Sequence, residues 1–552
     1  MRTTITRRGT VAIGLVLGLL ASSGIALAHA EREASFPDGS GKVPDYRPMI
    51  ATPNLVVCAD NSRQKIAQIE DRQLRRDNLR LASKCRFENI QDAVDAVTKR
   101  GTTIYVLPGV YREEPYRDRP KCADVVGSGG LLTYEEQMEC PHAQNLIAIL
   151  GDSDPNDDKR VCDRPVCDLQ IEGTGDDPED VIIRGGFNEE GEWAKLNGIR
   201  GDRADGLYLK NFTAELFEFN AVYALETDGF VMDELVVRYS DEYGILVFAV
   251  DHGVIKDCDG YNTGDAPIYP GSASDVNSDS EDYTQRDRWA VEIFNCKSHH
   301  SALGYSGTAG NSVYAHDNEF YKNQSGIVTD SVFAGHPGLP QDHAWFTDNL
   351  IYSNNNNYTE KYVQSGACDA PPAERGYRPA PDEPKTSGTV CTAPPAPVGA
   401  GMVIAGGNWN LVEKNRFWDN WRAGAMLFSV PAPIREEEDP TKAFDTSHFN
   451  MFSANTMSLD LNSEPDLNGV DFWWDDQGEG NCWQDNVSAA GDGTSNTMYP
   501  TGLPDCESGG SLGLPNNPYK SGQLASCALY NRNDPDFRDP PGCNFFDTPE
   551  EP

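Results

Sequence analysis

Short apolar runs separated by Asn, Asp and Gly recur at a nearly constant spacing in the middle of this sequence. Runs that begin with glycine repeat in this way: Gly206-Leu207-Tyr208-Leu209, Gly229-Phe230-Val231-Met232 and Gly253-Val254-Ile255-Lys256. A second set lies 23 residues apart: Gly198-Ile199, Ala221-Val222 and Gly244-Ile245. Units this short cannot bury their own apolar face, so each one has to stack on its neighbours. Because the runs have strand length and no crossover helix separates them, the pattern predicts an all-β fold, a β-solenoid.

The start of the solenoid carries a more specific pattern. Ile90, Ala93, Val94 and Val97 lie on one helical face, which predicts a short amphipathic helix from Glu88 to Thr98. A strand, a Pro108-Gly109 turn and Tyr111 follow directly. This segment resembles the N-terminal cap of pectin-lyase-like right-handed parallel β-helices of the secreted bacterial type with Asn-rich repeats. The resemblance implies that fold, a capping helix over the open sheet edge, and polysaccharide chemistry as a family tendency.

Later coils share an Asn-x-(Phe or Ile)-aromatic-x-Asn motif at 318–323, 349–354 and 415–420. Asn tolerates left-handed backbone and bonds its own turn, so we expect structural ladders of stacked Asn between coils. The expected organisation comprises a signal peptide at 1–30, an N-terminal wrapping segment at 31–85, the parallel β-helix at 86–490, and a Cys-containing C-terminal cap at 491–552.

Four insertions interrupt the repeat, at 262–289, 332–342, 363–399 and 431–447. Each flanks a strand of the Gly-Ile set, so the insertions are predicted to wall a groove along that strand column. Strand alternation places the next residues on the groove face. Aromatic and polar residues for substrate binding are expected at Tyr223, Phe248, Phe294, Trp473 and Asp471, although the aromatics could equally pack beneath the loops.

Candidates for acid–base chemistry are Glu292, Asp330, His336 and His343. The segment Gly335 to His343 brings two imidazoles and a carboxylate beside the expected groove. A His that only supports a Pro/Gly-rich loop is the alternative interpretation.

Calcium is the one cofactor that the sequence suggests. Asp275, Asn277, Asp279 and Glu281 alternate as oxygen ligands do at the start of a calcium loop. The later positions depart from that loop, since Ser280 stands where Gly is expected and Arg286 where a bidentate Glu belongs. A solvated acidic loop is therefore the alternative to an ion site.

Composition and the N-terminal sequence limit the partners and the cellular location that can be expected. Acidic residues outnumber basic ones by 86 to 46, giving a formal charge of −40, which argues against nucleic acid as a partner. Arg7-Arg8, an apolar run and Ala26-Leu27-Ala28 have the order of a cleavable signal peptide, and no later stretch could cross a bilayer. The export route, general or twin-arginine, stays open. The 14 cysteines of an exported chain favour disulfides, with Cys162–Cys167, Cys368–Cys391 and Cys122–Cys140 as natural pairs.

Two functions fit these observations. The first is a secreted enzyme acting on extracellular polysaccharide, most plausibly a lyase or epimerase of a uronate-containing glycan. The second is a non-catalytic envelope or adhesive solenoid that binds glycans or presents its loops. The signatures Gly-His-Gly, Arg-Ile-Lys and Asp-Pro-His-Glu of related β-helix enzymes do not occur. We expect a secreted monomer in either case.

Overall fold

The computed structural model describes residues 33–48, 54–113, 122, 134–154, 161–281, 288–377, 387–489, 502–513, 517–531 and 540–552. The expected signal peptide lies outside these residues. Within them, the chain winds into a coil of parallel strands that belong to two sheets. The predicted parallel β-helix is confirmed.

The first sheet is a single column of strands, called column I here, in which each strand pairs in parallel with the equivalent strand of the next coil. Its ten strands are Asn145–Leu150, Asn197–Asp202, Asn220–Leu225, Tyr243–Phe248, Ile268–Gly271, Leu303–Thr308, Ser325–Asp330, Ala400–Ala405, Ala423–Phe428 and Phe472–Trp474. The register follows the sequence repeat, because Ile199 pairs with Val222 and Val222 with Ile245.

The second sheet contains two columns separated by a bend. Column II consists of Asn54–Val57, Thr103–Val106, Gln170–Gly173, Asp251–Lys256, Val291–Phe294, Val313–His316, Trp345–Thr347, Leu411–Glu413, Met451–Ser453 and Cys482–Gln484. Column III consists of Gly109–Tyr111, Val181–Arg184, Asp259–Thr263, Lys297–His299, Glu319–Tyr321, Leu350–Tyr352, Arg416–Trp418, Thr456–Met457 and Val487–Ser488. Two longer strands pass through both columns, Leu207–Phe217 and Asp228–Ser240.

Alternate side chains of all three columns point into one continuous apolar core. Ile199, Val222 and Ile245 of column I are buried there, as the repeat predicts, and so are Phe230 and Ile255 of column II. A solenoid of this kind gains stability by adding coils, because each coil covers the apolar interior of the one before.

The N-terminal end is closed by the predicted helix, which spans Ile90–Asp95. The four residues expected on its apolar face are all buried in the core. The carboxylate of Glu113 accepts hydrogen bonds from the first two backbone N–H groups of the helix, at 2.7 and 3.0 Å. Column II begins earlier than residue 86, because Asn54–Val57 already pairs in parallel with Thr103–Val106.

The stacked Asn ladders are also confirmed. In the turn between columns II and III, the amide of each Asn donates to the next one along the coil axis, at 2.9–3.2 Å through Asn318, Asn349, Asn415, Asn455 and Asn486. These side chains are buried. Each therefore needs its hydrogen bonds, and the ladder satisfies them while fixing the register of the coils.

The cysteines form seven disulfides and leave none free. The three natural pairs expected from the sequence are present, Cys122–Cys140, Cys162–Cys167 and Cys368–Cys391. The remaining four are Cys58–Cys85, Cys258–Cys296, Cys482–Cys506 and Cys527–Cys543. Complete pairing fits a protein of an oxidising compartment.

The remaining helices are short and lie outside the coil. The α-helices are Ser62–Ile66, Arg72–Ala82, Tyr134–Glu139, Pro141–Gln144 and Pro518–Cys527. Short 3-10 helices occur at Pro178–Asp180, Ala367–Asp369, Pro372–Glu374, Ala432–Arg435, Pro440–Lys442 and Cys506–Ser508. A single turn of π-helix occurs at Thr359–Val363. In the described part of the chain, no helix has the length and apolar character needed to cross a membrane.

Candidate active site

Two long turns between columns I and II meet above a short one. The long turns follow the strands Ile268–Gly271 and Ser325–Asp330, and the intervening coil makes the same turn in a few residues around Asn311. Asn311 receives a hydrogen bond from the Asp342 backbone N–H at 2.9 Å and donates one to the Gly338 carbonyl at 2.7 Å. The short turn thus serves as the platform on which residues of both long turns come together.

Asp275, Asp342 and His343 form what we call the acid cluster. Burial and the nearby Asp342 carboxylate raise the pKa of Asp275 to about 7, and the two carboxyl groups are close enough to share a hydrogen bond. His343 Nδ1 lies 3.2 Å from Asp342 Oδ1, and its Nε2 lies 2.8 Å from the Ser280 carbonyl oxygen. Since a carbonyl only accepts, Nε2 carries a hydrogen and Nδ1 faces the carboxylates.

An aromatic edge borders the acid cluster on the following coils. The His343 ring is nearly parallel to that of Trp409, with centroids 6.0 Å apart. Trp409 in turn stacks on Phe449 at 4.4 Å. His343 is buried, whereas Trp409 and Phe449 are only half-buried. The cluster therefore lies beside aromatic rings that solvent can reach.

The same long turn, 331–344, carries a second polar group on the column I side. His336 Nε2 lies 3.2 Å from the Tyr269 hydroxyl, and the His336 ring stands edge-on to Phe248. Asp330 nearby accepts hydrogen bonds from the Thr308 hydroxyl at 3.0 Å and from the Val332 backbone N–H at 2.8 Å. We call these residues the Tyr–His group.

Burial sets the protonation of the Tyr–His group. Desolvation lowers the pKa of His336 to about 4 and raises the pKa of Asp330 to about 6. Burial and the Asp330 charge raise the pKa of Tyr269 well above its ordinary value. At neutral pH the imidazole and the phenol are both neutral, so the pair can hold a hydrogen bond but offers only a weak base.

The aromatics expected to line a groove on column I are packed away. Tyr223 is 0% exposed and Phe248 3% exposed, in a cluster that Ala34 of the N-terminal segment and Ala396 of a loop complete. Trp473 is buried against Phe545 of the C-terminal segment. The outward positions are apolar, and covering them with the loops removes more apolar surface from water than an open groove would.

Asp471 is likewise enclosed. Its carboxylate is fully buried and accepts hydrogen bonds from the hydroxyls of Ser458, at 2.6 Å, and Ser488, at 2.5 Å. A carboxylate that is satisfied inside the coil in this way stabilises the last turns of the solenoid.

The expected position of Glu292 and Phe294 is wrong, because their strand belongs to column II. Val291–Phe294 pairs with Gly253–Lys256 and with Val313–His316, not with strands of column I. The error has a physical origin, since both columns alternate apolar residues with the same period. There, Glu292 Oε1 lies 3.2 Å from His316 Nε2, and Phe294 stacks on the His316 ring.

The four residues of the acidic loop that were expected to bind calcium have different surroundings in the structure. Asp275 belongs to the acid cluster, the Asn277 amide donates to the Arg288 carbonyl at 2.9 Å, and Asp279 and Glu281 are exposed. Over the residues that the structure describes, no three His, Cys, Asp or Glu side chains are grouped to hold a metal ion. Calcium binding by this loop stays a prediction.

Sequence reasoning missed Tyr269, which lies in a strand inside the supposed insertion 262–289. The signal was present, because Pro267-Ile268 follows Gly244-Ile245 at the spacing of the repeat. Pro270 within the run argued against a strand, since Pro cannot donate to the sheet. Trp409 could have been found from its position directly before Asn410, whose amide donates to Asn450 of the next coil at 2.9 Å as the ladder asparagines do.

No protein-family model and no curated protein matches the sequence. Among solved structures, the Azotobacter vinelandii mannuronan C-5 epimerase AlgE6 A-module aligns at 11% identity over 77% of this chain and 96% of its own, with a TM-score of 0.36. Pectate lyase Pel9A aligns at 10% identity over 82% and 79%, with a TM-score of 0.31. DFA-IIIase from Arthrobacter chlorophenolicus A6 aligns at 10% identity over 71% and 81%, with a TM-score of 0.37.

The two all-parallel sheets of the described residues give the chain the architecture of a parallel β-helix.

Proposed function

We propose that this protein acts on an extracellular polysaccharide by acid–base chemistry at the acid cluster. The observation that carries the proposal is the half-buried Asp275 carboxyl, whose pKa is raised to about 7 by burial and by its neighbour Asp342. A proton donor or acceptor is most effective when its pKa lies near the working pH. The exported character expected from the leader and the complete disulfide pairing support an extracellular substrate.

Two carboxyl groups this close cannot both ionise without cost, so near neutral pH they hold one proton between them. The pair can then donate that proton to one group and accept a proton from another. His343 extends the pair by a further titratable ring, held by the Ser280 carbonyl in one orientation. The half-buried rings of Trp409 and Phe449 beside the cluster are suited to the apolar face of a sugar.

The finer proposal is a lyase or epimerase of a uronate-containing glycan. Both reactions begin by removing the proton on the carbon next to the uronate carboxylate. In a lyase the bond from the neighbouring carbon to its glycosidic oxygen then breaks, a double bond forms between the two carbons, and the leaving oxygen takes up a proton. In an epimerase a proton returns to the first carbon on the opposite face. The shared carboxyl proton would stabilise the charge that develops on the uronate carboxylate, and the ionised member would act as base. Glu292 lies outside this site, and Asp330 and His336 are proposed to support the loop that carries Asp342.

The second candidate function is non-catalytic glycan binding. It is favoured because the polar atoms of the Tyr–His group are already used in hydrogen bonds within the protein. Tyr269 bonds to His336, and Thr308 donates to Asp330. Under this alternative the protein would retain a glycan and release it unchanged.

The test uses the secreted chain with polyuronates and with neutral glucans. Elimination is followed by the ultraviolet absorbance of the unsaturated product, epimerisation by uptake of deuterium from heavy water without chain cleavage, and hydrolysis by new reducing ends. Asp275→Asn and Asp342→Asn should each lower kcat by about 100-fold or more, with a smaller change in KM.

Asp279→Asn is the matched control, because Asp279 lies in the same loop but is exposed. It should keep the parent's rate. Parental rates in both cluster variants on a substrate that the parent converts would rule out the acid cluster. Retention of glycan without any conversion by the parent would establish the binding alternative.

A further inference from the structure

Two adjacent histidines lie at the end of a column III strand, where the chain turns toward column I. His299 is the last residue of the strand Lys297–His299, and His300 follows it with a φ of 53°, in the left-handed region. Adjacent side chains of a flat strand face opposite sides. Here the left-handed residue turns the chain, and the two imidazole rings meet with their Nδ1 atoms 2.7 Å apart. We call these two residues the histidine pair.

Hydrogen bonds fix which nitrogen atoms of the histidine pair carry hydrogen. His299 Nε2 lies 3.0 Å from Asp259 Oδ1, and a carboxylate only accepts, so this nitrogen carries a hydrogen. In its neutral form His299 therefore has a lone pair on Nδ1, which faces His300 Nδ1. Burial and the neighbouring His299 lower the pKa of His300 to about 4, so its ring is neutral at neutral pH. A single hydrogen between the two Nδ1 atoms joins the rings.

Aromatic rings of neighbouring coils hold the histidine pair in place. The His299 ring stacks between those of Tyr261, with centroids 5.0 Å apart, and Tyr321, with centroids 4.8 Å apart. The His300 ring stands edge-on to His299 and to Tyr321, at interplanar angles of 83° and 79°. His299 is buried and His300 is half-buried. Packing thus fixes the direction of both Nδ1 atoms, and solvent reaches the pair from the side of His300.

A third polar group lies on the preceding coil. Tyr261 pairs with His299 in the sheet, so Asn262 holds the same position in its coil as His300 does in the next one. The Asn262 side chain is 3% exposed, and within the described part of the chain its Oδ1 atom has no hydrogen-bond partner. A buried acceptor without a partner is costly and uncommon. A cation held between this coil and the histidine pair would supply the missing partner.

The left-handed conformation does not by itself single out His300. Lys322, Ser353 and Asp419 hold the same position on the following coils, with φ between 49° and 55°. The turn therefore has one conformation on successive coils and accepts several residue types. What is particular to this coil is a second imidazole whose Nδ1 atom faces that of the residue before it.

The charges that act on His300 are mixed. Asp259 favours a positive charge near the ring, whereas Lys322 and Lys361 oppose it. Both lysine side chains are exposed, so water and salt screen their charges. The Asp259 carboxylate is held directly on the His299 ring. The surroundings of the histidine pair therefore do not exclude a cation.

We infer that the histidine pair binds a divalent transition-metal ion, with Cu²⁺ as the preferred ion. The ion would replace the hydrogen between the two Nδ1 atoms, which is released to water as a proton. Asn262 Oδ1 would be a third ligand and water would complete the coordination. Imidazole nitrogen suits Cu²⁺, Ni²⁺ and Zn²⁺, and the affinity of a given site is highest for Cu²⁺.

The geometry of the histidine pair favours the same ion. Two nitrogen atoms side by side fit neighbouring corners of the tetragonal arrangement that Cu²⁺ adopts with nitrogen and oxygen ligands. Asp259 matches the usual partner of a metal-binding imidazole, a carboxylate that accepts the N–H of the other ring nitrogen. This site is separate from the proposed function and does not depend on it.

The experiment titrates the secreted chain, first freed of metal with a chelator, with Cu²⁺ alone and with Zn²⁺ alone in a calorimeter. Cu²⁺ should bind at one site more tightly than Zn²⁺ does. The electron paramagnetic resonance spectrum of the copper-loaded protein should show coupling to two imidazole nitrogens. Tighter binding of Zn²⁺ would overturn the preference for Cu²⁺.

The variants use residues that the same positions already hold on other coils. His299→Tyr copies Tyr321, and His300→Ser copies Ser353, so both should fold, which their melting temperatures check. Each should weaken Cu²⁺ binding at this site by more than about 100-fold, and Asp259→Asn by about tenfold. His316→Ala is the control, because both His316 nitrogens face carboxylates, Glu292 and Asp317, and not a second ring. It should keep the site.

The inference is overturned if the folded His299→Tyr and His300→Ser variants bind Cu²⁺ as the parent does, or if the parent binds none. A spectrum with coupling to a single nitrogen would overturn the shared site. Asp275→Asn should leave Cu²⁺ binding unchanged, so failure of the acid-cluster proposal and failure of the histidine pair can be told apart.

Discussion

The outward faces of column I and column II differ in how deeply their aromatic residues are buried. On column I, Tyr223 and Phe248 are sealed beneath the N-terminal segment and the loops. On column II, Trp345 is only half-buried, and so is Trp289, which lies two residues before the strand Val291–Phe294. Both faces carry aromatic residues on successive coils, so the residue types alone do not tell them apart.

The difference lies in the turns that flank each column. The long insertions enter the coil beside column I, whereas the turn between columns II and III is a short Asn-bearing turn on every coil from Asn318 onward. A long loop anchored at a strand end can fold back over that strand and bury its apolar side chains. Insertions beside column I therefore cover it here, and the acid cluster forms where two of these long turns meet.

The N-terminal segment completes the cover. The Ser35 backbone N–H donates to Glu226 at 2.9 Å, and the Gly41 backbone N–H donates to Asp228 at 2.7 Å. Ala34 and Phe36, on either side of the first anchor, pack on the column I aromatics. The N-terminal segment thus runs as a strap across several coils. It connects the first half of the solenoid to the loops that cover column I.

The largest expected effect is on the stability of the covered face. Phe248→Ala removes a ring that is 3% exposed and should lower the free energy of unfolding by about 3–5 kcal/mol. Trp345→Ala on column II removes a ring that is only half-buried and should cost at most about 1–2 kcal/mol. Urea unfolding of both variants measures the contrast, and equal losses would contradict the distinction between the two faces.

A smaller effect is expected from the disulfide that clamps a covering loop. Cys368 and Cys391 close a loop with a sequence separation of 23, next to Ala396 in the column I cover. Changing both to Ser should lower stability by about 2–3 kcal/mol and expose the loop to proteolysis. The control changes Cys162 and Cys167, whose separation of 5 constrains the unfolded chain less. A smaller loss in the Cys368 and Cys391 variant than in this control would speak against the clamp.

The acid cluster should give a pH-dependent contribution of about 1 kcal/mol after allowance for solvent screening. The folded-state pKa of Asp275, about 7, lies above the unfolded value of about 3.9. Between these values the folded state holds a proton that the unfolded state has lost, so this stability is complete at low pH and disappears as the pH rises through 7.

Asp275→Asn resembles the protonated carboxyl and tests this contribution. The variant should be more stable than the parent at pH values above about 7, and the difference should vanish by about pH 4. Asp279→Asn should show no such trend, because its carboxyl is exposed. A parent and an Asp275→Asn variant with parallel stability curves across this pH range would contradict the raised pKa.

The smallest expected effect concerns calcium in the acidic loop. If the loop binds the ion, a calcium concentration equal to Kd should stabilise the folded protein by about 0.4 kcal/mol. Differential scanning calorimetry in calcium and in chelator detects the change. Replacing Asp275 and Asp279 by Asn should abolish it, and identical melting of the parent in both solutions would leave the loop as a solvated acidic turn.

The sequence predicted the elements whose signal is local. The repeat in the glycine-initiated runs, the face of Ile90, Ala93 and Val94, and the recurring Asn pairs each depend on neighbours within a few residues or one coil. Stacking repeats them in register, so the fold, the capping helix and the ladders follow from the pattern. The short disulfides follow for the same reason, since nearby cysteines meet without help from distant parts of the chain.

Part of the site was within reach of the sequence. Asp330, His336 and His343 lie in or next to one long turn, 331–344, as their spacing suggests, and the carboxylate of Asp342 lies beside His343. The partner Asp275 was assigned to a different chemistry, because the long turn that carries it meets Asp342 only across an intervening coil. Glu292 and Phe294 were placed in the wrong column, since every column alternates with the same period.

The sequence by itself determined the coil, its register and its stacked asparagines, because these depend on periodic local patterns. Only the tertiary structure decided which face is covered and which carboxyl groups lie side by side. Those outcomes depend on where loops of unequal length fold back, and loop conformation is fixed by contacts far apart in sequence. The pKa of Asp275 illustrates the point, since a solvated loop carboxylate becomes a neutral-pH acid only through burial beside Asp342.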